Sequence, residues 1–197
     1  MIYNNKQIGQ IMNKQRWMAM LGTAMVVVLA ACGSGGSDSA TSDEAAFNDA
    51  DVMFAQMMIP HHEQAIEMSD IALDPTVGAG EKVRELATEI KGAQDPEITQ
   101  MKDLLTAWAK PLTADGDMDH SSMMGGMMTA DELTQLGTKV GPEFDAAWAS
   151  AMIAHHEGAI DMAETVLADG KNAETLELAR AIISAQQAEI EILRSLL

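Results

Sequence analysis

The sequence of 197 residues has few residues of the kinds that build disulfide frameworks or basic surfaces. Its single cysteine, Cys32, excludes an intramolecular disulfide and a CxxC redox motif. The chain carries 12 Lys and Arg against 30 Asp and Glu, a net charge of -18, so nucleic acids and anionic lipid headgroups are poor partners and cations are favoured. The sequence also contains no Ser/His/Asp set, phosphate-binding glycine loop or basic aromatic patch. Hydrolase and nucleotide functions therefore have no support.

Residues 1–31 are arranged like a bacterial secretory signal. A short basic region precedes an apolar run at 17–29, which is too short to span a bilayer comfortably. The run ends in Leu-Ala-Ala-Cys at 29–32, which resembles the lipobox of bacterial lipoproteins, where the cysteine becomes the acylated N-terminus. We therefore expect a lipoprotein signal peptide, lipidation at Cys32, and a place on the periplasmic or outer face of a bacterial membrane, held through the lipid anchor only. Met12 is an alternative start.

A duplicated segment follows this region. Residues 32–46 are rich in Gly, Ser and acidic residues, which predicts a flexible tether. Removing the signal takes away three basic residues and no acidic one, so the net charge falls from -18 to -21. Residues 51–73 recur at 145–167 with a constant offset of 94, and 90–105 recur at 182–197 with an offset of 92. A helical hairpin has thus been duplicated.

Apolar positions recur at spacings of three and four in both copies, which predicts helices. We place the four long helices near 47–73, 81–108, 142–168 and 172–196. Pro60 interrupts the first of them with a missing backbone donor, whereas the second copy has Ala154. Thr129-x-x-Glu132 predicts a capping box that opens a short additional helix. The predicted fold is an all-α four-helix bundle at 47–197, made of hairpin 1 (47–108), a Met-rich crossover linker (109–130) and hairpin 2 (131–197).

The repeated helix carries methionine and histidine on one face. On a helical projection, His61 and His155 lie on the buried stripe, while His62 and His156 lie at its flank. Imidazole and thioether form a soft ligand set that favours Cu(I) over harder divalent ions. Methionine is also an ordinary core residue, and a lone buried histidine is usually only hydrogen-bonded, so a metal-free core is the alternative. Repetition of the pattern, in a chain with 4% aromatic residues, favours metal. The candidate ligands are His61, His62, Met57, Met58, Met68, His155, His156, Met152 and Met162.

Each partner helix places a carboxylate and an amide among apolar positions. Glu97 and Glu189 fall within the apolar stripes, where a carboxylate is costly to bury. Counting from the turns puts Glu97 level with Met57 or Met58, and Gln94 level with His61; Glu189 and Gln186 repeat the arrangement. Such a carboxylate could orient a ligand histidine, bind the metal itself, or pair with an imidazolium in a metal-free core.

The crossover linker contains a second cluster of soft donors. A flexible Met/His segment can wrap Cu(I) without a preformed cavity, which suits capture and release of the ion. The alternative is a floppy linker whose methionines pack on the bundle or act as oxidant sinks. The candidate ligands here are Met118, His120, Met123, Met124, Met127 and Met128.

These motifs resemble the bacterial "domain of unknown function 305" family, whose mark is Met-x-x-His-His followed by Ala and Met. The resemblance covers about residues 47–197. It implies a ferritin-like four-helix bundle that is exported, with some members being periplasmic copper binders connected with copper tolerance. The Met-rich linker also resembles the Met/His repeats of exported copper-resistance proteins.

The leading hypothesis is a non-catalytic copper-binding lipoprotein that sequesters or delivers Cu(I). The main alternative is a ferritin-like oxidoreductase with an iron or mixed-metal centre, although no Glu stands three residues before any His, as the Glu-x-x-His motif of such bundles requires. A metal-free structural or interaction module and zinc on the histidine pairs are further alternatives. A copper-handling protein partner and a homo-oligomer are both left open by the sequence.

Overall fold

The computed structural model describes residues 46–114 and 124–197 of the chain. Within these ranges the protein forms five α-helices and no strand, which confirms the all-α prediction. The helices are α1 (Asp49–Leu73), α2 (Glu81–Ala107), α3 (Ala130–Thr138), α4 (Gly141–Asp169) and α5 (Ala173–Arg194). The four long helices lie within two residues of the predicted bounds. No helix in the described part combines the length and apolar character needed to cross a bilayer.

Capping residues mark the starts of two of these helices, and two of the helices contain a proline. Asn48 starts α1 with a capping box, and the predicted box of Thr129 and Glu132 starts α3. Helix α1 continues through Pro60, and α2 likewise continues through Pro96. Each proline removes one backbone donor in the first copy only, so the two halves share a topology without being identical.

The hairpins pack through their first helices. Helix α1 packs along α2, α4 packs along α5, and α1 lies against α4 at the centre of the bundle. The α1–α4 pair is antiparallel, since Trp148 near the start of α4 donates its indole N–H to the Met68 carbonyl, late in α1, at 3.0 Å. The ferritin-like assignment of this bundle stays a prediction.

Two apolar clusters fill the bundle. The Trp148 cluster and the Phe54 cluster, as we call them, each combine residues from both hairpins. Because α1 and α4 are antiparallel, the start of one helix shares a cluster with the end of the other. The Trp148 cluster includes Met68, Leu86, Ile90, Phe144, Trp148 and Met152, and the Phe54 cluster includes Phe54, Met58, Ile98, Met101, Val166 and Ile182.

Each hairpin is tied to the turn of the other by an aspartate near the start of its first helix. Asp51, fully buried, accepts hydrogen bonds from the backbone N–H groups of Lys171 and Asn172, each at 3.1 Å. Asp145, the equivalent residue at an offset of 94, accepts from Gly80 N–H at 3.0 Å. The duplication therefore includes a reciprocal connection between the halves, to which the sequence comparison assigned no role.

Replacing Asp51 with alanine removes the carboxylate that accepts from the backbone N–H groups of Lys171 and Asn172 and, in the capping box, from Asn48 N–H. We expect the free energy of unfolding to fall by roughly 2–3 kcal/mol, measured by urea denaturation followed by circular dichroism. Asp49→Ala, two residues away and exposed, is the matched control and should cost less than about 1 kcal/mol. Equal losses in the two variants would contradict this role of Asp51.

Candidate metal centre

Four histidines meet where α1 packs on α4. His61, His62, His155 and His156 are all fully buried. The rings of His61 and His155 are in contact, with centroids 3.8 Å apart, and the His156 ring lies 6.4 Å from that of His155. The inward placement of His61 and His155 is confirmed. His62 and His156, predicted at the flank of that stripe, are also buried, because α2 and α5 cover that side of the repeated helices.

The two carboxylates expected in the core hydrogen-bond to the outer histidines. His62 Nε2 lies 2.8 Å from Glu97 Oε2, and His156 Nε2 lies 2.7 Å from Glu189 Oε2. The glutamate side chains are 19% and 16% exposed, so they lie at the edge of the core rather than in its middle. Counting from the turn placed Glu97 level with Met57 or Met58, and its carboxylate reaches His62, about one helical turn further along α1.

A segment of the crossover reaches the inner histidine of the first copy. Residues 124–128, which we call the crossover strap, place the Gly125 carbonyl 3.1 Å from His61 Nε2. Gln64, one turn further along α1, holds the strap through both groups of its side-chain amide. Its Nε2 donates to the Met128 carbonyl at 2.8 Å, and its Oε1 accepts from Met128 N–H at 2.7 Å. The strap is thus fixed on the surface of α1 beside the histidines.

Glycines allow the strap to approach α4. A Cβ at Gly158 would lie 1.8 Å from the Gly125 carbonyl oxygen, and a Cβ at Gly126 would lie 2.0 Å from the Ala154 carbonyl oxygen. Gly126 also has a φ of +77°, which residues with a side chain rarely adopt. No side chain fits at either position, so these glycines permit direct backbone contact above His61 and His155.

Methionines border the histidines on both sides. Met58 lies in the Phe54 cluster, against which Met162 is packed, while Met68 and Met152 share the Trp148 cluster. Met58, which precedes the histidines of α1, is therefore grouped with Met162, which follows those of α4. Met152 and Met68 are grouped in the same way. The helix repeat alone suggested one group of methionines in each copy, whereas the antiparallel packing groups methionines of both copies.

Two candidate ligands face a groove at the outside of α1 and α4. Met57 and Met162 line a groove of about 480 Å³ together with Met53, which is 39% exposed and was not assigned from the sequence. No histidine lines this groove. The exposed position of Met53 could have been predicted from the helical period, because Met53 lies outside the buried stripe of α1.

The linker candidates are only partly within the described residues. Met124 and Met127 are partly buried, and Met128 packs against the Trp148 cluster. Met118, His120 and Met123 lie outside the described residues, and so do Cys32, the signal segment and most of the tether. The proposed linker site and the lipid anchor stay predictions.

Buried polar atoms without a hydrogen-bond partner in the described part of the chain are concentrated at this centre. They are Nδ1 of all four histidines, Nε2 of His155, both amide atoms of Gln94, and Oε1 of Gln186. Buried polar atoms are otherwise almost always paired, so each such atom requires an explanation. Within residues 46–114 and 124–197, no group of three or more His, Cys, Asp or Glu side chains is arranged to hold an ion. A metal held at the histidines would therefore need ligands of another kind as well, such as the thioether sulfur of methionine.

Burial keeps the inner histidines neutral. Loss of solvation lowers the pKa of His61 from 6.5 to about 4, against the opposing effect of the Gly125 carbonyl, and the nearby His62 and His156 lower it further. The pKa of His155 is held well below 6.5 by burial and then by the neighbouring imidazoles, His61 first. At neutral pH these rings carry lone pairs for which protons compete weakly.

This burial makes stability depend on pH. Between about pH 6.5 and 4 the unfolded chain binds a proton at His61 and the folded chain does not. The free energy of unfolding should therefore fall as the pH drops from 6.5, and the part due to His61 should total ~3 kcal/mol below pH 4. Urea unfolding across this range measures the decline, and a His61→Asn variant isolates the contribution. A decline of the same size in the variant would disprove the assignment.

The fold and this centre define an all-α protein with a buried cluster of histidines, bordered by methionines, at the junction of two repeated hairpins. The chain belongs to the DUF305 family, a domain of unknown function, whose model matches residues 51–197. The resemblance read from the repeated motif is thereby confirmed.

Solved structures show the same relationship. The chain is 33% identical to a predicted secreted DUF305 protein of Streptomyces coelicolor, with a TM-score of 0.68 over 75% of this chain and 91% of that one. It is 30% identical to a DUF305 fragment from Deinococcus radiodurans, with a TM-score of 0.67 over 75% and 95%. CopM in its Cu(I)-bound form is 30% identical, with a TM-score of 0.60 over 74% and 93%. CopM is also known in Cu(II)-bound and Ag-bound forms. No functionally curated protein matches the chain.

Proposed function

We propose that this protein binds copper as Cu(I) through buried imidazole nitrogens and neighbouring thioethers. The observation that carries the proposal is the set of unpartnered Nδ1 atoms on four fully buried histidines. Met58, Met68 and Met152 precede or follow these histidines along α1 and α4 and belong to the two buried clusters. Neutral nitrogen and sulfur donors favour a soft monovalent ion over hard divalent ions.

The relatives support a soft metal. CopM has been solved with Cu(I), Cu(II) and Ag. Silver as Ag(I) prefers the same soft donors as Cu(I), so a protein that takes both offers such ligands. The chain matches 93% of CopM in its Cu(I)-bound form, and the match spans both hairpins of this protein.

The role that fits this chemistry is sequestration or delivery of copper outside the cytoplasmic membrane. Signal cleavage and lipidation at Cys32 would leave an acidic protein on a bacterial membrane, and its negative charge would concentrate cations. The linker methionines and His120 would serve as a capture arm for an ion passing to the buried histidines. The predicted secreted relative supports export. A copper-handling protein would supply or receive the ion, and a homo-oligomer is compatible with the proposal.

The alternatives fit the described residues less well. An iron or mixed-metal oxidoreductase needs several carboxylates at one centre, and here Glu97 and Glu189 are each hydrogen-bonded to a different histidine. Zinc usually takes four ligands from His, Cys, Asp and Glu, and no group of three such side chains is arranged to hold an ion in residues 46–114 and 124–197. A metal-free module predicts that no ion binds at all.

Anaerobic Cu(I) titration against a chromophoric competitor tests the proposal. Replacing His61 and His155 together with alanine should weaken Cu(I) binding by on the order of 100-fold, about 2.7 kcal/mol. Ser69→Ala is the control, since Ser69 is fully buried on α1 but hydrogen-bonds only to the Ala65 carbonyl. Circular dichroism checks that all variants fold.

Unchanged copper affinity in the double histidine variant would contradict the site, and absence of binding in the unaltered protein would contradict the function. Metal analysis of protein purified from its native envelope separates copper from iron and zinc. A preparation containing iron in place of copper would favour the oxidoreductase.

A further inference from the structure

We infer that Nδ1, rather than Nε2, is the metal-binding nitrogen of His61, His62 and His156. Three hydrogen-bond acceptors from separate parts of the fold set this choice by keeping the proton on Nε2. The inference rests on the proposed copper function and assigns the donor atoms within it.

The first acceptor is the backbone of the crossover strap. The Gly125 carbonyl oxygen lies 3.1 Å from His61 Nε2, and a carbonyl oxygen can only accept. His61 Nε2 therefore carries the proton. In the neutral ring, the lone pair then resides on Nδ1, which is buried and has no partner within the described residues.

The second and third acceptors are carboxylates on α2 and α5. Glu97 accepts from His62 Nε2 at 2.8 Å, and Glu189 accepts from His156 Nε2 at 2.7 Å. A further proton on either Nδ1 would create a buried N–H group without an acceptor in the described part of the chain, which is costly. Both outer rings are thus held in the form that has its lone pair on Nδ1.

The strength of the inference is that two different kinds of partner agree, namely a carboxylate repeated in both copies and the backbone carbonyl of the crossover strap. Metal-binding histidines generally donate their second nitrogen to a carboxylate or a backbone carbonyl, which fixes the ring and raises the basicity of the ligating nitrogen. All three partners here have that chemistry, and all three engage the same nitrogen. Glu97, Glu189 and Gly125 are therefore positioning residues for the metal.

His155 is the exception. Neither of its buried ring nitrogens makes a hydrogen bond of ordinary geometry in the described part of the chain, where the His61 backbone is near enough only to raise the pKa of His155 slightly against burial; its equivalent in the first copy is held by the strap. The strap exists once in the chain, so the duplication cannot provide a second carbonyl. His155 alone can therefore present either nitrogen to a metal.

Nitrogen NMR of the full chain, labelled with ¹⁵N at histidine, tests the donor assignment in two stages. In the metal-free protein at neutral pH, long-range proton–nitrogen correlations should show the Nε2–H form at His61, His62 and His156. On addition of Ag(I) as a stable probe for Cu(I), the Nδ1 resonances of these rings should shift while Nε2 keeps its proton.

The outcomes separate the donor assignment from the proposed function. If Ag(I) and Cu(I) bind but the Nε2 resonances shift and lose their protons, the Nδ1 assignment is overturned and the function stands. If the ions bind without moving any histidine nitrogen, the assignment fails together with the site. If no ion binds, the proposed function itself fails.

A variant pair tests the positioning role of Glu97. Glu97→Leu removes the acceptor, so the Nδ1–H form of His62 should appear and Ag(I) affinity should fall about 10- to 100-fold. Glu97→Gln keeps an oxygen acceptor and should restore both. His156, beside the intact Glu189, is the internal control and should not change. A fall in affinity with His62 still fully in the Nε2–H form would identify a merely structural role and overturn the proposal.

Gly158→Ala tests the strap without altering any hydrogen-bonding side chain. The added Cβ would lie 1.8 Å from the Gly125 carbonyl oxygen, so the strap must move away from His61. His61 should then show both neutral forms, while His62 and His156 keep theirs. Gly92→Ala is the matched control, because its Cβ would meet nothing within 4 Å. An unchanged single form at His61 in Gly158→Ala would overturn the role of the strap.

Discussion

The burial of four imidazoles at the contact between α1 and α4 is the constraint on which the rest of this structure depends. A buried polar ring is costly unless its nitrogens are paired. Three of the rings have a hydrogen-bond partner, each from a different element: Glu97 on α2, Glu189 on α5 and Gly125 on the strap. The outer helices and the crossover are therefore joined to the same centre. One ring nitrogen of His61, His62 and His156, and both of His155, nevertheless have no hydrogen-bond partner within the described residues, and these are the atoms that the proposed function assigns to a soft ion.

Duplication explains how a single hairpin sequence can build this centre. One copy alone covers its outer histidine with its own second helix but has nothing to pack against its inner histidine. The second copy, laid antiparallel, supplies the missing wall, so each apolar cluster contains residues of both hairpins. Asp51 and Asp145 add a reciprocal tie between each helix start and the opposite turn. The strap breaks this symmetry, because it contacts His61 through a hydrogen bond and leaves His155 without one.

The protein has an acidic composition, whereas its histidine centre is neutral. Both properties suit the proposed binding of a cation. The acidic surface attracts positive ions without distinguishing among them. The interior offers neutral imidazole and thioether, which discriminate by softness rather than by charge. Depressed pKa values at His61 and His155 keep these ligands unprotonated in neutral and mildly acidic surroundings. Under the proposed function, the core would determine which ion is selected, and the surface charge would determine how fast cations reach the protein.

Much of this protein follows from local pattern. Helix bounds, the capping box at Thr129, the hairpin repeat and the inward direction of His61 and His155 are all set by residue spacing along one helix, so the sequence alone determined them. The family was also legible from the repeated motif. The full burial of His62 and His156 could not be predicted in this way. A helical projection identifies one packing face, and these two residues face a second neighbouring helix.

The contacts between separate helices, and between the strap and α1, were decided only by the tertiary structure. The pairing of Glu97 with His62 depends on how far two helices slide past each other and on which way their side chains lean, and counting from a turn did not identify His62 as the partner. The contact of Gly125 with His61 spans 64 positions of the chain and is made by a backbone carbonyl, which every residue possesses and no sequence pattern marks. The sequence therefore determined which residues are available to bind an ion. Three-dimensional packing decided which nitrogen of His61, His62 and His156 is left without a partner within the described residues.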